Sequence, residues 1–194
     1  MFLSMPSPSE ASSSLYARDI ADDGYVSNLT RLWAWRPDVF DSFLNTRRVL
    51  TEKATLSLRE RAILVCATAA NVGDSYCALA WGRTLASETD PTTAAEVLQR
   101  KEPSALTARE RALATWARQV VRDPNAITAE DVDRLRRAGV TDEEIFNATV
   151  FVAFRLAFST VNDALGACPD APLAEAAPAT VRDAVNYGRS VSES

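Results

Sequence analysis

Apolar residues along the chain recur three and four positions apart, broken by short polar segments, which is the spacing of helices that pack by one face. Leu113, Trp116, Ala117, Val120 and Val121 keep that spacing and predict an amphipathic helix from about Arg109 to Arg122. Asp38 to Leu50, following Arg36-Pro37, predicts another, with Val39, Phe40, Phe43 and Leu44 turned inward. Residues 62–70 and 145–158 are apolar on every side and predict central helices. No alternating apolar and polar run predicts a strand.

Helix starts are marked independently of this pattern. Ser57 with Glu60, Thr107 with Glu110, Thr128 with Asp131 and Thr141 with Glu144 have capping-box spacing, in which two side chains satisfy each other's orphan amides. Asp90 followed by Pro91 predicts a fifth start, and Gly139 and Gly166 fall where C-caps are expected. Leu56-Ser-Leu-Arg-Glu-Arg-Ala-Ile-Leu64 returns as Leu106-Thr-Ala-Arg-Glu-Arg-Ala-Leu-Ala114. Two copies suit a pair of similar helical hairpins; the plainer reading is two well-capped helix starts. The expected fold is all-α, with seven or eight helices joined by short loops.

Composition narrows the class. With 194 residues, 47% of them apolar, the chain is long enough for one packed core without a staple. The Ser- and Pro-rich start, Met1 to Leu15, has no basic or long apolar stretch, so residues 1–25 are expected to be a flexible leader before a domain over 26–194. With no signal, the expected compartment is the cytoplasm. The apolar stretch from Ala148 to Phe158 holds Arg155 and is short for a bilayer, so no membrane partner is expected. A net charge of −5 without a basic stripe argues against nucleic acid. Cys66, Cys77 and Cys168 match no zinc spacing and suggest no disulfide framework. No metal or cofactor is expected.

The chain has no histidine, which removes Ser-His and Cys-His nucleophile pairs and the side chain most used for acid–base work near neutrality. One segment still reads as a site: Asn71-Val-Gly-Asp-Ser-Tyr-Cys77-Ala-Leu-Ala-Trp81. Gly73 permits a tight turn and Asp74 is a good N-cap. Cys77 then occupies the third helical position, where the helix dipole lowers a thiol's pKa while the Asp74 carboxylate opposes it.

Leu-x-x-Arg-Glu-Arg, a fully apolar helix, Asn-x-Gly and then Tyr-Cys resemble the AhpD-like (alkylhydroperoxidase/carboxymuconolactone decarboxylase) superfamily. The likeness runs from about Val26 to Arg189, through Arg109-Glu-Arg and Asn162-Asp-Ala-Leu-Gly166. It implies an all-α domain of two related antiparallel hairpins and a homo-oligomer. Redox members carry Gly-Cys-x-Tyr-Cys-x-x-x-His with a glutamate twelve residues before the first cysteine. Laid on this chain, those positions hold Asp74, Cys77, Trp81 and Ala62, and only Cys77 is kept. Glu60 lies two residues from the glutamate position, on another helical face.

The candidate catalytic residues are therefore Asp74 as acid or base, with Tyr76 and Cys77 in support. Trp81 is a candidate substrate-binding wall and Arg155 a candidate holder of an anion; their plainer readings are a core residue and a buried ion pair with Asp163 or Glu144. Three functions fit these residues. The first is a non-redox small-molecule enzyme of decarboxylase, isomerase, lyase or cyclase type. The second is an inactive binding or assembly subunit. The third is a single-cysteine peroxidase acting through Cys77.

Overall fold

The structure, a computed structural model, describes residues 1–52 and 55–192. Among these are eleven α-helices and no strand. They are α1 (Glu10–Asp23), α2 (Asn28–Trp33), α3 (Pro37–Glu52), α4 (Leu58–Val72), α5 (Ser75–Glu88), α6 (Pro91–Leu98), α7 (Ala108–Arg122), α8 (Ala129–Arg137), α9 (Asp142–Ala164), α10 (Ala171–Ala176) and α11 (Ala179–Ala184). A 3-10 turn, Pro124–Ala126, joins α7 to α8. The count exceeds the expected seven or eight because α1 and the short α2, α10 and α11 are separate elements.

α4 is the axis of the fold. Residues 62–70 are all buried, because α5, α6, α7 and α9 pack around it. The reciprocal capping boxes form at Ser57, Thr107 and Thr141, and Asp90 caps α6. At Thr128 the amide and the hydroxyl both donate to Asp131.

The repeated Arg-Glu-Arg segments start α4 and α7, and these two helices pack against each other. Arg59 Nε lies 2.6 Å from Glu110 Oε1, and Arg109 Nε lies 2.6 Å from Glu60 Oε1. Each repeat thus supplies the arginine for the other's capping glutamate. The repeat is a pseudo-symmetric clamp rather than two independent helix starts. Arg109 also bridges to Glu144, the capping glutamate of α9, at 2.7 Å.

Three expectations change. Residues 1–25 are not a free leader: Ser9 and Ser12 form a capping box with each other and start α1. Leu15 is buried, Gly24 caps the helix in the left-handed region, and the Phe2 amide donates to the Leu165 carbonyl. Serine replaces the usual acidic partner of that box, which hides the start from a pattern search. α9 is not buried all round. Glu144, Ile145, Ala148, Phe151, Val152, Arg155, Phe158, Ser159 and Asn162 face the protein, whereas Phe146, Ala153 and Ala157 are exposed. By length and apolarity α9 passes as a membrane span, yet its inner face carries polar groups matched to this protein's own residues. Val39 is exposed; Phe40 is buried, and Phe43 and Leu44 are half-buried.

Candidate functional site

The turn between α4 and α5 sets the site. Gly73 takes φ +82°, where a side chain would be strained, and ends α4. Asp74 follows as N-cap of α5, its Oδ1 accepting the Cys77 amide at 2.8 Å. Its Oδ2 accepts the hydroxyl of Ser159 from α9 at 2.5 Å. Asp74 is 0% exposed and both its oxygens are engaged. It lies behind the cavity wall and acts on the site only through Cys77 and Ser159. A direct acid or base role on a bound molecule, as expected from the sequence, does not fit this placement.

In front of Asp74 a cavity of about 570 Å³ opens between α1, α3, α5 and α9. Cys77, Tyr76, Trp81 and Arg155 line it, together with Phe40, Phe43 and Phe158. α1 contributes Leu15, Arg18 and Asp19 as an outer wall. Cys77 is 2% exposed. Arg155 Nη2 donates to its sulfur at 3.1 Å, and the Ser159 hydroxyl lies 3.9 Å from the same atom. Burial pushes the Cys77 thiol up to about 12; Arg155 opposes the rise and Asp74 adds to it. At pH 7 the thiol is then protonated. Burial also pushes Cys66 well above an ordinary thiol.

Arg155 is 5% exposed and pairs with no carboxylate among the described residues. Glu144 is taken by Arg109, and Asp163, pushed up to about 6 by burial and by Asp74, makes no bond to Arg155. The structural ion pair expected for Arg155 is absent. The guanidinium instead lies against two rings, 5.4 Å from the centre of Trp81 and 5.3 Å from that of Phe158. Its Nε has no partner. The aromatic wall continues from Phe158 through Phe43, centres 5.1 Å apart.

Tyr76 is fixed elsewhere: its hydroxyl donates to the buried Asp170, which also accepts the Asn28 amide at 3.0 Å. Burial and this carboxylate hold the phenol far above its ordinary value. Tyr76→Phe is expected to lower thermal stability by about 1–3 kcal/mol, because a buried carboxylate loses a donor. Calorimetry of the variant checks this, and alkylation of Cys77 should keep its wild-type rate.

The chain is 25% identical to an alkylhydroperoxidase AhpD core, an uncharacterized peroxidase-related protein from Ralstonia eutropha JMP134; the TM-score is 0.77 over 89% of this chain and 94% of that one. A peroxidase-related protein from Silicibacter sp. TM1040 is 21% identical, with TM-score 0.79 over 89% of this chain and 93% of that one. The chain belongs to the AhpD-like superfamily. The AhpD-like fold also extends to the debrominase Bmp8, crystallised as a cysteine-to-alanine variant with 2,3,4-tribromopyrrole, at 14% identity and TM-score 0.72 over 91% of this chain and 95% of that one. No protein-family model and no curated protein matches the sequence.

Within this AhpD-like site, Ser159, Arg47, Phe43 and the α1 wall escaped the sequence reading. Ser159 had a signal, since it stands four residues after Arg155 and so shares its helical face. Arg47, exposed at the mouth with its cavity side desolvated, had none. Desolvation and the like charge of Arg155 lower its pKa. Glu60, the near miss for the family's glutamate position, is held in the α4–α7 clamp.

Proposed function

We propose that the protein is a cofactor-independent, non-redox enzyme of decarboxylase, isomerase or lyase type, acting on a small molecule in the cavity at Cys77. The observation that carries this reading is the pairing of a protonated thiol with an unneutralised guanidinium, 3.1 Å apart on one wall of a sizeable cavity. A thiol held near 12 is a poor nucleophile at neutral pH but a fitting proton donor to a strongly basic carbanion or enolate. Arg155, held against two rings before any ligand arrives, stabilises the negative charge that develops beside that proton. Asp74 and Ser159 are positioning residues for Cys77, and Trp81 is part of the wall.

The raised thiol weighs against the single-cysteine peroxidase, since peroxide is attacked by the thiolate. With excess dithiothreitol, peroxide consumption is expected to be absent from both the wild type and Cys77→Ser. Iodoacetamide should alkylate Cys77 at a rate still climbing at pH 10. Small carboxylates screened by NMR in D₂O should yield carbon dioxide release or deuterium uptake that Cys77→Ala loses. Peroxide turnover that vanishes in Cys77→Ser, with alkylation levelling off near pH 7, would replace this reading with the peroxidase. An inactive binding subunit is the second reading, favoured by the depth at which Cys77 is buried; binding without turnover would support it.

The reading includes a cytoplasmic homo-oligomer. Supporting it, Phe146 is 68% exposed and shares a face of α9 with Val150, Ala153 and Ala157. Small and apolar residues at that spacing suit a helix packing on a second copy. Light scattering should give a multiple of 21.1 kDa for the wild type and a smaller assembly for Phe146→Glu.

A further inference from the structure

We infer that the cavity takes a planar aromatic anion, with Arg155 as its charge anchor and Arg47 as a second, outer one. This rests on the cavity being the working site and adds the class of molecule that fills it.

Arg155 is a buried cation without a counter-ion among the described residues. Nη2 is used on the Cys77 sulfur and Nε has no partner, so part of its planar fork of donors is unspent. Trp81 and Phe158 lie against the guanidinium, their ring centres 5.4 Å and 5.3 Å from its carbon, so the cation sits in an aromatic surround on the cavity wall. A planar guanidinium fork matches a flat, two-oxygen anion better than a spherical one. The stacked Phe158 and Phe43 extend the same wall, so a ring attached to the anion has a surface to lie on.

Charge around the cavity supports the same orientation. Arg47 stands close enough to Arg155 to feel its charge, and nothing among the described residues pairs with it. Its repulsion from Arg155 is relieved by an anion between them. Among the described residues no ion pair joins the cavity's carboxylates, Asp19, Asp22 and Asp23, to Arg47 or Arg155. Asp19 is bound by the Ser27 amide and hydroxyl, each at 2.9 Å. A cavity of about 570 Å³ has room for a two-ring molecule.

The test uses 2-naphthoate and its neutral counterpart 2-naphthamide, titrated calorimetrically into the full-length protein. The wild type should bind the acid about 10–100-fold more tightly than the amide, the range of a charge-assisted hydrogen-bonded pair. Arg155→Gln should bring the ratio near one. Arg155→Lys, which keeps the charge and loses the fork, should fall between, and Arg47→Gln should reduce the ratio severalfold. Circular dichroism checks that each variant is folded. Equal binding of acid and amide by the wild type, no binding of either, or a preference unchanged in both folded Arg155 variants would overturn the inference. Cys77→Ala separates it from the proposed chemistry. An acid preference retained in that variant supports the anchor whether or not turnover is ever found. A preference lost there, with Arg155 intact, counts against the anchor alone.

Discussion

Arg155→Met is expected to raise the melting temperature of the protein while abolishing turnover and the preference for anions. A guanidinium that is 5% exposed and meets no carboxylate among the described residues carries an uncompensated desolvation cost. Its contacts with Trp81 and Phe158 and its bond to Cys77 return only part of it. Methionine fills a similar volume and adapts to aromatic neighbours. Exchanging buried charge for apolar volume then stabilises by about 1–2 kcal/mol, or about 2–8 °C in a chain of this size. Scanning calorimetry reads the stability, and naphthoate titration and substrate screening read the function. A fall of several degrees would mean that Arg155 is held for structure, removing the main support for the site. The expected opposition between stability and function is the signature of a group kept in an unfavourable state for a ligand.

Arg109→Ala carries the largest expected loss of stability. Arg109 alone answers Glu60 at 2.6 Å and Glu144 at 2.7 Å, and both glutamates are buried. Its removal leaves two charges in the core of the clamp, at a cost of about 3 kcal/mol or more, or about 6–12 °C. The pH dependence gives a second check. Arg109 holds the Glu144 carboxyl down at about 2, against an ordinary value of 4.5. A depressed folded pKa stabilises above the unfolded value and is lost as the pH falls, so the wild type should weaken between about pH 4.5 and 2. In the variant that depression disappears and protonation relieves the stranded charges. The gap between the two proteins should therefore narrow from pH 7 to pH 4. A gap that stays constant would show that Arg109 contributes through packing alone.

Helix starts were legible because caps are local: Ser57, Asp90, Thr107 and Thr141 each act on amides two or three residues away. The site was legible as far as one helix reaches, so Asp74 as N-cap and Cys77 at the third position of α5 could be read from spacing. Contacts between helices could not. Whether Arg155 meets Glu144 or a cavity depends on α7, more than thirty residues away in sequence, supplying Arg109 to that glutamate first. Asp74 looked available as a base until Ser159, from the far end of α9, took its second oxygen. The outer wall was missed for a compositional reason. Serine and proline before α1 read as a loop, although here they build a cap and lead Leu15 onto the core.

The crossed Arg59–Glu110 and Arg109–Glu60 pairs bear on ancestry. In each half of the chain one short segment carries both the acid and the base of the exchange, so a polypeptide with a single such segment closes both bridges by meeting a second molecule of itself about a two-fold axis. Tandem duplication of its gene would convert that dimer into the present single chain without inventing a contact. Thereafter the halves could diverge, one keeping the turn that builds Asp74 and Cys77 and the other, through α7, serving as scaffold.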